Sequence, residues 1–186
     1  MFEALVFVVL YCGFSPRCAL ETDDGSENRY QKICDIIGGC RLGIHDISNT
    51  KLDRHNKLPR FNMPLELGLF LGSKQFGGEK AKNKKCLIFD SDRFRYQEFI
   101  SDLAGQDIHA HGGKPSLLVK KISAWLRAEF ADNRVPGGTM VNKQFARFQR
   151  ELPIIYKSLK LQRSEVEFAD FKKISEAWIL RSVKSS

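Results

Sequence analysis

Apolar runs and mixed polar stretches alternate along the chain, and their spacing predicts strands and helices in turn. Residues 4–12, ALVFVVLYC, are apolar without a break. Seven of the nine are β-branched, aromatic or leucine, which predicts a buried central strand over 4–11. A loop from Cys12 to Cys18 and an acidic turn (Glu21, Asp23, Asp24) lead to Ser26, a helix N-cap. The helix that follows, from about 27 to 37, places Tyr30, Ile33, Cys34 and Ile37 at i, i+3, i+4 and i+7. Gly38-Gly39 ends it. Residues 42–47, LGIHDI, and 86–90, CLIFD, read as two further strands. Between them Pro64 opens a helix over about 63–71, since proline is tolerated in a first turn.

Residues 97–103 read as helical, and 107–113 as a turn-rich segment. Ser116 caps a helix over 117–130 with Leu118, Ile122, Trp125 and Leu126 facing inward. Beyond Val135-Pro136-Gly137-Gly138 the periodicity is helical only, over 140–159 and 165–181, with an interruption near Pro153. Strands alternating with helices predict βαβ crossovers and a parallel sheet. The expected organisation is an α/β domain over residues 1–134 and a basic helical extension over 135–186.

The chain has 186 residues, 42% hydrophobic and 28% charged, which excludes a disordered or collagen-like protein. Five cysteines with no CxxC pair argue against a zinc ribbon and cannot all be paired in disulfides. Reduced thiols in a cytoplasmic protein are the expectation. A signal peptide cleaved after Ala19 is the rival reading of the first apolar run. No Lys or Arg precedes that run, Glu3 stands where a positive charge belongs, and the run is too short to span a bilayer. No membrane contact is expected.

The net charge of +8 is uneven: residues 114–186 carry 15 basic and 7 acidic side chains, and the remainder balances. Lys143, Arg147, Arg150, Lys157, Lys160 and Arg163 lie beside Phe145, Phe148 and Tyr156. That pattern suits phosphate contact and base stacking, so nucleic acid is a candidate partner of residues 136–186. The spacing of Phe145, Phe148, Leu152, Ile155 and Leu159 equally describes an ordinary packing face.

Candidate chemistry centres on Glu66, the one charged residue between Met63 and Gly72. A lone carboxylate in an apolar helix is costly unless something uses it, and Asn62 shares its face. Glu66 reads either as a nucleophile or anion stabiliser or as a capping-box residue bonding the helix start. If the loop after residues 4–11, the corner at Asp46 and Ser48, and the entry to the Glu66 helix all follow strand ends, they meet at one mouth. Arg17 would then hold a phosphate or carboxylate, unless Asp23 or Asp24 pairs with it. His109 and His111 lack a third ligand pattern, so they read as turn histidines and no metal is expected.

Two segments, Gly43-Ile44-His45-Asp46-Ile47-Ser48 and Asn62-Met63-Pro64-Leu65-Glu66-Leu67-Gly68, resemble the paired motifs of TIR-like and nucleoside 2-deoxyribosyltransferase-like proteins, many of them bacterial nucleotide-binding or defence proteins. The resemblance covers about residues 4–130. It implies a flavodoxin-like parallel sheet and chemistry at an N-glycosidic bond, with NAD, a nucleoside or a nucleotide as substrate and no further cofactor. It makes Glu66 the catalytic carboxylate, with Asp46 and Asn62 orienting the ribose hydroxyls or the base, while the strand-end placement adds the Ser48 hydroxyl to the same cleft. Phe14, Ser15 and Arg17 would close over the ligand, Phe14 or Phe61 would stack on the base, and Asp107 or His109 would protonate a neutral leaving base. Self-association into a homo-oligomer is also implied. The chain departs from the pattern in its basic loop (Lys51, Arg54, Lys57, Arg60) and in Leu65, where an aromatic is usual. A non-catalytic nucleotide sensor or scaffold using the same cleft is the alternative.

Overall fold

A computed structural model describes residues 1–50, 52, 55, 57–130 and 135–184; Lys51 and Arg54 of the basic loop lie outside them. In chain order the elements are α1 (Phe2–Tyr11), α2 (Arg29–Gly39), β1 (Leu42–Asp46), α3 (Asn62–Phe76), the single turn α4 (Glu79–Lys82), β2 (Lys85–Asp90), β3 (Ile108–Ala110), α5 (Pro115–Phe130), α6 (Gly138–Ser158) and α7 (Phe168–Lys184). Short 3-10 turns lie at Arg95–Glu98, Ser101–Leu103 and Arg163–Glu165. Two compact units result: Asp24–Gly113, and Met1–Asp23 together with Lys114–Ser186. The boundary expected at 134/135 thus falls inside the second unit. Among the described residues no helix is long and apolar enough to cross a membrane.

The first unit is mixed α/β. Its three strands are all parallel in the order β1-β2-β3, with Asp46 level with Phe89 and Asp90 level with Ala110. Strand alternation puts Gly43, His45 and Ile47 on one face of β1, with Ile44 and Asp46 on the other. α3 covers the first of these faces. Its Phe70 meets the His45 ring edge-on at 5.2 Å, and its Leu67 packs with Ile47, Ile88 and Tyr96. Gly43 permits this approach, because a Cβ there would stand 2.8 Å from both the Phe70 ring and His45 Nε2.

α2 starts at Arg29, capped by the Asn28 side chain on the Gln31 amide at 3.1 Å, and not at Ser26. Tyr30 is exposed, so the inward face is Ile37 with partly buried Ile33 and Cys34. The helix ends on Lys84, whose buried ammonium donates to the Ile37 and Cys40 carbonyls and lies 5.3 Å from the Phe70 ring centroid. A cation there satisfies C-terminal carbonyls and complements the helix dipole. The segment 97–103 forms two 3-10 turns in place of a helix, and the turn-rich segment after Asp107 contains β3.

The second unit is all helical, and it contains the clearest correction. Residues 4–11, expected as a central strand, are helical within α1. A nine-residue run apolar on every side suits a buried helix as well as a strand, and periodicity does not separate the two. Glu3 in the first turn suits the helix dipole, and Gly13 at φ 84° ends the helix in a conformation that favours glycine. Phe7 sits at the centre of an aromatic cluster, with ring centroids 5.2 Å from Phe145, 5.1 Å from Phe148 and 5.9 Å from Trp178.

α6 runs through Pro153 without the expected interruption, because buried Leu152 and Tyr156 hold the turns on either side. Its packing face is Phe145, Phe148, Leu152 and Tyr156, while Leu159 is exposed. The three aromatics offered for base stacking are therefore core residues. All five cysteines are thiols.

Lys84→Met leaves two carbonyls at the end of α2 without their cation. A loss of about 1–3 kcal/mol is expected, read as a lower urea midpoint; an unchanged midpoint would show that the lysine does not hold the helix end.

Candidate functional site

Because the strands are parallel, their carboxyl ends share one edge, where open α/β sheets bind ligands. Asp90 ends the central strand and is fully buried. Its Oδ1 accepts from the Ser91 amide at 2.6 Å and from Arg95 Nε at 2.8 Å and Nη2. Arg95 also donates to Thr50 Oγ1 at 2.9 Å and to the carbonyls of Ile47 and Ser48 at 3.1 and 3.2 Å. Its guanidinium lies 4.9 Å from the Phe99 ring centroid. One side chain thus ties the exit of β1 to the exit of β2. Asp90 Oδ2 is buried with no hydrogen-bond partner.

On the other face of the sheet, Asp46 Oδ1 accepts the Ser48 amide at 3.0 Å and meets His111 Nε2 at 3.3 Å. The Gly113 amide donates to His111 Nδ1 at 3.0 Å, so the neutral ring carries its proton on Nε2 and points it at Asp46. His111 is buried just past β3 and belongs to this hydrogen-bonded pair, not to a bare turn. His109 lies within β3, with its ring 6.2 Å from that of Phe89. Among the described residues no group of three or more His, Cys, Asp or Glu gathers to hold a metal ion.

Glu66 is the fifth residue of α3, beyond the first turn, and Phe61 at the N-cap has no side-chain cap bond. The capping-box reading therefore fails. The carboxyl is half-buried and has no hydrogen bond to another described residue. Burial pushes its pKa up, opposed by the guanidinium of Arg29 at the start of α2. Asn62 and Phe61 are exposed at the entry to α3. Glu66 stands on the helix covering the Gly43–His45–Ile47 face, whereas Asp46 projects from the opposite face. The two can share a ligand only across the carboxyl edge.

The remaining expected residues lie elsewhere. Phe14, Ser15 and Arg17 follow a helix, not a strand, so the reason for gathering them at a strand end disappears. Each also has a partner in the helical unit. Phe14 packs on Phe130 at 4.8 Å, Ser15 Oγ accepts from Lys172 at 3.1 Å, and Arg17 pairs with Glu21. Asp107 is exposed at the amino end of β3, about 10 Å below the carboxyl edge at 3.3 Å per residue. It is therefore on the wrong side of the sheet to act as the acid. Sequence reasoning missed Asp90, Arg95 and Arg29, and read His111 only as a turn histidine. One signal was available: LGIHD and CLIFD both end in aspartate.

The chain matches no family model, no curated protein and no solved structure.

Two outcomes are expected from this geometry. Arg95→Met strands a buried Asp90 carboxylate and costs about 3–5 kcal/mol; the double variant with Asp90→Asn recovers part of that loss in urea titrations, and additive losses would show that the pair is not coupled. The second concerns His45, whose buried Nε2 has no partner and whose pKa is pushed down to about 4 by burial. Between that value and about 6.5 the unfolded chain takes up a proton that the folded chain does not. Stability is therefore full above about pH 6.5 and falls as pH drops to about 4, below which this contribution levels off. His45→Phe flattens that slope; an unchanged slope would assign it to other groups.

Proposed function

We propose that the α/β unit binds a nucleoside or nucleotide over the carboxyl edge of a flavodoxin-like sheet. Glu66 acts on its N-glycosidic bond, NAD being the favoured substrate class. The observation that supports this most is the Glu66 carboxyl: half-buried, without a hydrogen bond, raised in pKa, and set in the helix that enters at that edge. A group whose neighbours leave it unsatisfied is available to a ligand.

The chemistry follows from one carboxylate. As the C1′–N bond breaks, its electron pair leaves with the base and positive charge builds on the sugar carbon and ring oxygen. An anion nearby lowers the energy of that charge or traps it as a glycosyl ester, which water then hydrolyses. Nicotinamide is cationic while bound and leaves as a neutral molecule, so no acid has to protonate it. A neutral purine or pyrimidine needs a proton, and Asp107 at the far edge does not supply it. Asp46, whose Oδ2 accepts from no other described residue, takes a ribose hydroxyl, and Arg29 beside Glu66 suits a phosphate. Such a substrate class and five thiols fit a cytoplasmic protein.

The rival reading, a sensor that binds without turnover, is favoured by the same lack of a placed acid. Incubation of the wild-type chain and Glu66→Gln with NAD and with deoxynucleosides separates the two. Released base is expected from the wild type and a loss of about 100-fold or more from the variant, the scale of removing one transition-state contact. Since the folded-state pKa is raised, the charged form is the one the fold resists, and Glu66→Gln is expected to be at least as stable as the wild type at pH 7. Equal turnover in both proteins would remove Glu66 from the mechanism. A raised melting temperature with ligand and no released base would select the sensor.

A further inference from the structure

We propose that Phe94 is the platform on which the flat base of the ligand stacks, which would make the substrate class one that carries an aromatic base; this rests on reading the α/β unit as a nucleoside or nucleotide site. Phe94 lies four residues beyond the carboxyl end of the central strand. It is 65% exposed, with φ 62° and ψ 0°, the left-handed region that a bulky side chain enters only at a cost. Exposure and backbone strain at the same aromatic are both unfavourable, and such strain persists only where the surroundings enforce it.

The surroundings do enforce it. Upstream, Ser91 is fixed by its amide on Asp90 Oδ1 and by its carbonyl, which accepts the Gly112 amide at 2.8 Å. Downstream, Arg95 is held by Asp90, Thr50 and the two β1-exit carbonyls, and Tyr96 is buried against Ile47, Leu67 and Ile88. The Phe94 carbonyl closes the turn by accepting the Gln97 amide at 3.0 Å. The ring is therefore presented to solvent from a loop clamped at both ends, at the edge where α3 brings in Asn62 and Glu66. An aromatic on a fixed backbone has only its two side-chain torsions to lose when a base stacks on it. Phe61 is the other exposed aromatic at the entry to α3, and nothing clamps it by side-chain bonds; Phe14 is taken by Phe130.

The test titrates the full chain with NAD, deoxyadenosine and ribose 5-phosphate, using the wild type, Phe94→Asn and Phe94→Tyr. Asparagine tolerates the left-handed backbone, and tyrosine keeps a stacking face. For Phe94→Asn the dissociation constants for NAD and deoxyadenosine are expected to rise about 10-fold or more. Ribose 5-phosphate binding and the unfolding midpoint should not fall, and Phe94→Tyr should bind like the wild type. Unchanged NAD binding in Phe94→Asn overturns the platform while leaving Glu66 to be judged by turnover. Equal weakening of NAD and ribose 5-phosphate also overturns it, since the loop would then matter for shape and not for stacking. If the wild type binds neither base-bearing probe, the platform falls together with the nucleotide reading. Binding that depends on Phe94 without released base upholds the platform and discards the glycosidase.

Discussion

The α/β unit depends on one buried pair, Asp90 with Arg95. A three-stranded parallel sheet buries little area and leaves long connections at its carboxyl edge, where few backbone bonds hold them. Removing Asp90 from water is expensive, and its charge is tolerated only because the guanidinium lies against it. Having been drawn to Asp90, that same planar group reaches Thr50 and the carbonyls of Ile47 and Ser48. A lysine would present a point charge and could not serve these directions together. The position of the β1 exit relative to the β2 exit is thus held by this side chain together with the Ile47 amide, which donates to the Phe89 carbonyl at 2.9 Å.

Strand parity then decides what the edge can do. His45, Ile47, Ile88 and Asp90 share the face under α3, and Asp46, Phe89 and His111 share the other. A cleft walled by Glu66 and Asp46 side by side is incompatible with that alternation. What remains possible is a ligand lying across the top of β1, meeting Glu66 from the α3 side and Asp46 from the other. The elongated shape of a nucleotide suits such a crossing better than a compact sugar does.

How much of this was legible in the sequence follows from what each segment packs against. Strands 42–47 and 86–90 were readable because glycine- and lysine-rich stretches bound short runs that sit between helices. Asp46, at the end of the first of them, marked the edge. The run at 4–11 was misread because a helix surrounded by other helices loses its polar stripe, and then valine content points to a strand. β3 has only three residues, among glycine and histidine, so pairing with β2 makes it a strand where its own propensity does not. Glu66 stood out because it interrupts an apolar helix. Asp90, Arg95 and His111 did not, since their importance lies in hydrogen bonds across long sequence separations, which no local pattern encodes.

The distribution of unfavourable features carries the last step. Both units leave buried polar atoms unsatisfied, but Gln144 and Ser175 in the helical unit are neutral amide and hydroxyl groups. The α/β unit holds a buried Asp90 carboxyl with one orphan oxygen, a partly desolvated Glu66 and a phenylalanine in a left-handed turn. These three lie on the carboxyl-edge segments that leave β2 or enter α3. A sequence selected for stability alone would remove the last two, since an apolar residue for Glu66 or a glycine for Phe94 would relieve the fold. Lys160 takes the same left-handed backbone in the helical unit, so it is the coincidence of Glu66 and Phe94 with the exposed carboxyl edge, and not strain by itself, that supports the proposal of a binding site there.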